Sequence, residues 1–140
     1  MNLRVFIDTD VIISSTISQK GAAYYLLNTE RVEKSVTNYT ILEALNVANR
    51  IGLNLKTVKI MLSLCSKTSL KLPIDSLEDK YRAYVSDLND THVVAGAVNS
   101  KSRYLVTYNI RDFNIEFIKK DYGIIVLNPG TLLQYLRSRE

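Results

Sequence analysis

The stretch Val5-Phe6-Ile7-Asp8-Thr9-Asp10-Val11-Ile12-Ile13 places two acidic residues between two apolar segments. The apolar run at residues 3–7 predicts a short buried strand that ends at Asp8. Simple helix capping accounts well for one of Asp8 and Asp10 but poorly for both, because an unpaired carboxylate beside a buried strand costs free energy. In parallel α/β sheets, ligands bind outside the carboxyl ends of the strands. The two acids are therefore the first candidates for a functional site.

Strand and helix patterns alternate along the rest of the chain. We predict further strands at residues 32–36, 70–74, 104–107 and 124–127. We predict helices at residues 22–27, 38–51, 55–66, about 77–85, from 90 onward and 131–137, with Gly52 ending the second of them. This alternation predicts an α/β fold with a mainly parallel central sheet. The polar residues Thr107, Tyr108 and Asn109 then follow a strand in the same way as Asp8 does.

Composition limits the possible functions. The 140 residues are 46% hydrophobic and 23% charged, which fits one domain spanning residues 1–140. No apolar run approaches the ~18–20 residues that span a bilayer, and no signal peptide is visible, so we expect a cytoplasmic protein without membrane contact. The single cysteine, Cys65, excludes an intrachain disulfide and favours a reducing compartment. The single histidine, His92, excludes a site built on two histidines of one chain, so any chemistry rests on carboxylates.

Two further acids stand out by their surroundings. Glu43 is the only charged residue between Lys34 and Arg50, which favours a pocket-lining position over the alternative of an ordinary exposed helix residue. Asp90 precedes Val93 and Val94 by three and four residues, which places it on the apolar stripe of its helix. The alternative for Asp90 is helix capping.

Asp87 and Asn89 are competing candidates for that capping position. A fourth acid, Asp112, lies in the segment TYNIRDF at residues 107–113, which follows a predicted strand.

The order of these features resembles the PIN-domain nucleases over nearly the whole chain. The most specific parts are DLNDTHVVAGA at residues 87–97 and YLVTYNIRDF at residues 104–113. They look like the branch of the family that contains the toxins of toxin–antitoxin pairs. The resemblance implies a Rossmann-like, three-layer α/β/α sandwich. It also implies metal-dependent RNA cleavage that leaves a 5′-phosphate and a 3′-hydroxyl.

Position by position, the resemblance assigns the three core catalytic and metal-binding acids to Asp8, Glu43 and Asp90. Many relatives carry a fourth acid where this chain has Asn109. An amide brings no charge to a metal, and Asp112 is the acid that would compensate. We therefore include Asp112 among the predicted catalytic residues, and Asn109 and Asp112 among the predicted metal ligands.

A second set of residues is predicted to support the acids. Thr107 and Ser14 match positions that support them by hydrogen bonds in the family. Thr9, Asp10 and Asp87, which stand beside the acids in the sequence, complete this supporting set.

The residue types agree with the chemistry that the resemblance implies. Mg²⁺ and Mn²⁺ prefer oxygen ligands, and converging carboxylates without a cation would repel one another. If Asp8, Glu43, Asp90 and Asp112 share one pocket, ten acidic residues remain elsewhere against 18 basic ones. Such a basic surround suits an RNA backbone. The family resemblance adds two expected partners: a small antitoxin protein, and a second copy of the chain that packs on the apolar helices between Ala22 and Leu64.

Two alternatives remain open. Asp8-Thr9-Asp10 also fits the opening motif of haloacid-dehalogenase-type phosphatases, with Asp8 as nucleophile and Asp10 as acid and base. That family also needs a later lysine and a pair of acids, and Lys119, Lys120 and Asp121 do not show the required pattern. The other alternative is a PIN module with weakened catalysis that binds RNA or a protein partner, for which Asn109 is the main argument.

Overall fold

The computed structural model describes residues 3–139, which form one parallel sheet covered by helices on both faces. Its strands are β1 (Leu3–Ile7), β2 (Val32–Thr37), β3 (Ser66–Thr68), β4 (Tyr104–Val106) and β5 (Ile125–Leu127). Their order in the sheet is β3-β2-β1-β4-β5, and all neighbours are parallel. The predicted α/β class with a parallel central sheet is confirmed.

The helices form the two outer layers. They are α1 (Thr9–Ile17), α2 (Ala22–Asn28), α3 (Asn38–Ile51), α4 (Leu55–Ser63), α5 (Ile74–Tyr81), α6 (Thr91–Asn99), α7 (Ile115–Tyr122) and α8 (Pro129–Ser138). One hydrophobic core joins α1–α4 and α8 to one face of the sheet, and a second core joins α5–α7 to the other face. The predicted three-layer arrangement is therefore present.

Strand β1 lies in the middle of the sheet and is buried on both faces. Val5 and Ile7 belong to the first core, and Phe6 belongs to the second. Strand order reverses at β1, because the chain continues to β2 on one side and later to β4 on the other. Such a switch point is where ligands bind in parallel sheets. Ile7 pairs with Val106 across β1 and β4, so the residues that follow these two strands emerge side by side.

Helix α3 matches its prediction at both ends. The Thr37 side chain accepts a hydrogen bond from the backbone N–H of Thr40, which caps the first turn. Gly52 ends the helix in the left-handed conformation with φ of 80°, which costs a glycine little. The cap and the stop fix the orientation of the helix that carries Glu43.

The predicted strand at residues 70–74 is wrong. Strand β3 lies earlier, at Ser66–Thr68, so the helix predicted at 55–66 also ends sooner, at Ser63. The Asn38 side chain forms two hydrogen bonds with the backbone of Leu70. It accepts from the N–H of Leu70 over 2.8 Å and donates to the carbonyl of Leu70 over 3.2 Å. The Tyr39 hydroxyl donates to the carbonyl of Leu72 over 2.7 Å. These side chains of α3 take the place of a neighbouring strand.

The remaining differences concern helices. Helix α5 begins at Ile74 directly after Pro73, three residues before its predicted start. Helices α1 and α7 were not predicted. In α1, Val11, Ile12 and Ile13 are all buried, so the sequence shows a continuous apolar run instead of a helical stripe. Within residues 3–139, no helix has the length and apolar character to cross a membrane.

Candidate active site

The structure brings most of the predicted acids to one cavity at the carboxyl ends of β1 and β4. The cavity has a volume of about 290 Å³. The described residues that line it are Asp8, Thr9, Asp10, Ile13, Glu43, Val47, Asp90 and Asn109. They come from the start of α1, the middle of α3, the residue before α6 and the loop after β4. The site is therefore assembled from four distant parts of the chain.

Asp8 is the most deeply buried acid of the site and caps α1. Its Oδ1 accepts a hydrogen bond from the backbone N–H of Thr9 at 2.7 Å, and its Oδ2 accepts one from the Thr107 hydroxyl at 2.9 Å. Burial, followed by the negative charge of Asp10, raises the pKa of Asp8 well above its ordinary value. The carboxylate is thus held in place but resists ionisation unless a positive charge lies nearby.

Asp10 has one occupied and one free oxygen. Its Oδ2 accepts hydrogen bonds from the backbone N–H of Tyr108 at 2.9 Å and from the Asn109 amide at 3.0 Å. The Thr107 hydroxyl lies 3.3 Å from the same oxygen. Oδ1 is buried and has no hydrogen-bond partner within the described residues, and burial raises the pKa of Asp10. Asp10 is thus tied to the loop after β4 through Oδ2, and its role in the site stays a prediction.

Glu43 reaches the cavity from α3 and is held by two side chains. Its Oε1 accepts a hydrogen bond from the Thr9 hydroxyl, and its Oε2 lies 3.5 Å from Nε2 of His92. Burial opposes ionisation of Glu43, but the contacts with His92 and Thr9 outweigh it and lower the pKa of this carboxyl. Glu43 thus carries its charge more readily than the aspartates do.

Asp90 stands at the start of α6, after a 3-10 turn at Leu88–Asp90, and its side chain forms no capping hydrogen bond. Asp87 fills a capping role instead, by accepting a hydrogen bond from the backbone N–H of Asn89 at 2.9 Å. Burial, then the negative charges of Asp112, Asp87 and Glu43, raises the pKa of Asp90 to about 6. Capping therefore does not explain Asp90, and its carboxylate is available to a ligand.

Four of the predicted residues do not line the cavity. One of them, Thr107, lies behind the lining and contacts Asp8 and Asp10 through its hydroxyl. Asp112 ends a 3-10 turn at Ile110–Asp112 and acts on Asp90 through its charge. Asp87 is exposed and serves the turn that leads to α6. Ser14 is half-buried on α1, and within residues 3–139 its hydroxyl makes no hydrogen bond to any of the acids. Their predicted catalytic, metal-binding and supporting roles stay predictions.

His92 is a site residue that the sequence analysis did not assign a role. Its ring is 7% exposed and stacks on Tyr39, with 5.8 Å between the ring centroids. Nε2 of the ring contacts Oε2 of Glu43. The other ring nitrogen, Nδ1, is buried and has no hydrogen-bond partner in the described part of the chain. In the sequence, the one feature that points to His92 as a site residue is its position two residues after Asp90, on the buried first turn of α6.

The donor set suits a hydrated divalent cation. Within residues 3–139, no three acidic, histidine or cysteine side chains are close enough to form a ready-made cage. Mg²⁺ needs only one or two carboxylates, because water and substrate phosphate complete its shell. The raised pKa values of Asp8, Asp10 and Asp90 fit a bound positive charge, and no described basic side chain lines the cavity.

Sequence comparison identifies the family. The profile of the PIN domain matches residues 4–111, which is most of the chain. No curated protein sequence gives a significant match. The chain therefore belongs to the PIN-domain family, as the resemblance of its motifs had indicated.

Solved structures show the same fold at low sequence identity. VapBC2 from Rickettsia felis, bound to a DNA fragment from its promoter, superposes with a TM-score of 0.66 at 14% identity and covers 90% of this chain and 98% of its own. A toxin–antitoxin complex from Klebsiella pneumoniae superposes with a TM-score of 0.63 at 18% identity and covers 89% of this chain and 97% of its own. VapC20 from Mycobacterium tuberculosis, a sarcin–ricin loop cleaving toxin, superposes with a TM-score of 0.54 at 11% identity and covers 84% of this chain and 95% of its own. The predicted PIN-like architecture is confirmed.

These findings weigh against the phosphatase alternative. A haloacid-dehalogenase-type mechanism needs a lysine near Asp8 and Asp10, and none is among the described residues that line the cavity. It would also leave Glu43 and Asp90 without roles, although both reach the same cavity as Asp8.

Proposed function

We propose that this protein is a Mg²⁺- or Mn²⁺-dependent endoribonuclease that acts as the toxin of a toxin–antitoxin pair. The observation that carries the proposal is the gathering of Asp8, Asp10, Glu43 and Asp90 around one cavity at the switch point of the sheet. Burial raises the pKa values of three of these carboxyls, so the protein alone does not favour their charged forms. A divalent cation and an RNA phosphate would satisfy them.

The bound cation would supply a nucleophilic hydroxide at neutral pH and neutralise the charge that develops on the phosphate. The protein side chains hold the ligand atoms for it. Thr107 and the backbone of Thr9 fix both oxygens of Asp8, and Asn109 fixes one oxygen of Asp10 while the other stays free. Thr9 and His92 hold Glu43. The Asp90 side chain lines the same cavity and makes no capping hydrogen bond.

Basic side chains beside the cavity would hold the RNA backbone. Arg50 is exposed near the end of α3, the helix that carries Glu43. Arg111 is exposed on the turn after β4, next to Asn109 and Asp112. Phosphate contacts of this kind position a nucleic acid without reading its sequence.

The proposed partners follow from the similar structures and from the surface. Relatives with the same fold form toxin–antitoxin complexes, so we expect a small antitoxin to place a segment in the acidic cavity. Tyr25, Ile60 and Leu64 are exposed on the helical face between Ala22 and Leu64 and would pack against a second copy of the chain.

RNA cleavage is the direct test. We would incubate a labelled panel of single-stranded RNAs with the wild type, Asp8→Asn and Asp90→Asn in Mn²⁺ or Mg²⁺, with EDTA and a generic phosphate ester as controls. We expect metal-dependent RNA cleavage that both substitutions abolish. Turnover of the phosphate ester alone would contradict the proposal and restore the phosphatase.

A second candidate function rests on Asn109. The amide at this position brings no negative charge to a metal, which suits a PIN module that binds RNA or a protein without cutting it. Tight RNA binding by the wild type with no cleavage of any RNA in the panel, in either metal, would favour this candidate.

A further inference from the structure

A second cavity adjoins the acidic one. It has a volume of about 440 Å³ and lies between α3, α5 and the start of α6. Glu43 and Val47 line both cavities, so the two cavities share these side chains as a wall. Ligand pockets typically occupy about 300–1,000 Å³, so this space is large enough for a defined ligand group.

The walls of this second cavity combine apolar surface with unused hydrogen-bonding groups. Leu77 and Val47 supply apolar wall, and the stacked rings of Tyr39 and His92 supply aromatic wall. Four of the polar side chains that line it make no hydrogen bond or ion pair to any described residue. They are Asn46, Arg50, Glu78 and Asn89.

We propose that this cavity binds an unpaired nucleobase of the RNA, next to the phosphodiester that is cut. The inference rests on the proposed ribonuclease function, because it requires an RNA phosphate in the neighbouring acidic cavity. An unpaired base has apolar faces and a polar edge, and proteins bind it with aromatic rings and side-chain hydrogen bonds. Asn46 and Asn89 both donate and accept, Glu78 accepts, and Arg50 is a cation for a flanking phosphate.

The choice of RNA over a polypeptide follows from the polar groups. Leu42, Ile74 and Leu88 are exposed at the rim and would contact either ligand. A nonpolar peptide face would cover the two amides and the guanidinium without pairing them, which costs free energy. A base edge and its phosphate would pair them, and the shared wall at Glu43 joins the base site to the cutting site.

The test compares two asparagines on one helix. Asn46 and Asn49 are both exposed on α3, but only Asn46 lines the cavity. We would digest a random-sequence RNA pool with the wild type, Asn46→Ala and Asn49→Ala in Mn²⁺, and sequence the ends. We expect the wild type to prefer one base beside the cut, Asn46→Ala to relax that preference roughly three- to tenfold, and Asn49→Ala to retain it.

Failure of the pocket and failure of the function give different results. Cleavage with an identical base preference in all three proteins would overturn the pocket and leave the ribonuclease intact. If the wild type cuts no RNA, the pocket is tested instead by the binding of a fluorescently labelled form of the same RNA pool. Weaker binding by Asn46→Ala than by Asn49→Ala would support the pocket. Equal binding by the two variants would overturn the pocket. In that case, a lower mass of Leu42→Ser than of the wild type in light scattering would assign this face to contact with a second copy of the chain.

Discussion

The side-chain amide of Asn109 donates a hydrogen bond to Oδ2 of Asp10 over 3.0 Å, directly beside the acidic cavity. Many PIN-domain relatives are expected to carry an acid at this position. Here a neutral donor stabilises the carboxylate of Asp10, whose other oxygen stays free. Asn109 therefore adds no charge to the cavity, and its amide orients the carboxylate of Asp10.

Replacement of Asn109 by aspartate tests this relationship. Asn109→Asp would place two carboxylates within hydrogen-bonding distance and would remove about 1 kcal/mol or more of stability without metal. We expect a lower melting temperature in EDTA and a larger stabilisation by Mn²⁺ than in the wild type. Asn109→Ala is the control, since it removes the donor without adding charge. Equal melting temperatures of the aspartate and alanine variants in EDTA would contradict the arrangement.

Thr107 is expected to act as a positioning residue for two carboxylates. Its hydroxyl lies 2.9 Å from Asp8 Oδ2 and 3.3 Å from Asp10 Oδ2. Thr107→Val keeps the shape but removes this contact, and loss of such a supporting bond typically lowers metal affinity or activity by about 10–100-fold. The measurement is the Mn²⁺ dependence of RNA cleavage. Thr107→Ser keeps the hydroxyl and should retain most of the wild-type cleavage. If Thr107→Val showed the wild-type dependence on Mn²⁺, the positioning role of Thr107 would be excluded.

How far the sequence alone predicts this site depends on the range of the interactions. The position of Asp8 at the end of β1 is predictable because a local pattern, an apolar strand that ends in an acid, places it there. The free oxygen of Asp10 and the contact of His92 with Glu43 depend on residues far apart in the chain, and no local pattern encodes them. The wrongly predicted strand at 70–74 has the same cause, since Asn38 binds its backbone from α3.

The stability of the metal-free protein should depend on pH through Asp90. Burial and neighbouring acids raise its pKa from 3.8 to about 6, so the folded state binds this proton more tightly than the unfolded chain does. The stabilisation is full below about pH 4 and is lost as the pH rises through about 6. We expect the melting temperature in EDTA to fall between pH 4.5 and 6.5, and to fall less in Asp90→Asn. A rise over this interval in both proteins would contradict the assignment.

At Gly96, helix α6 packs tightly against side chains of the sheet. A Cβ at this position would lie 2.4 Å from the Phe6 ring and 2.9 Å from Cγ2 of Thr37. Gly96→Ala should therefore destabilise the protein by about 1–3 kcal/mol through overpacking. Gly130→Ala is the control, because its Cβ would make only an ordinary contact with Asn128 at 3.5 Å. Urea denaturation compares the two, and equal midpoints would show that α6 moves away freely.

The most direct test of the carboxylate site is a Mn²⁺ titration of RNA cleavage and of melting temperature in the same preparations. The proteins are the wild type, Asp90→Asn and, as control, Glu116→Gln, which changes an exposed acid on α7. We expect Mn²⁺ to stabilise and activate the wild type and Glu116→Gln alike. Asp90→Asn should be more stable than the wild type in EDTA, respond weakly to Mn²⁺ and leave the RNA uncut. Cleavage by Asp90→Asn at the wild-type rate and with the same Mn²⁺ dependence would contradict the proposed site.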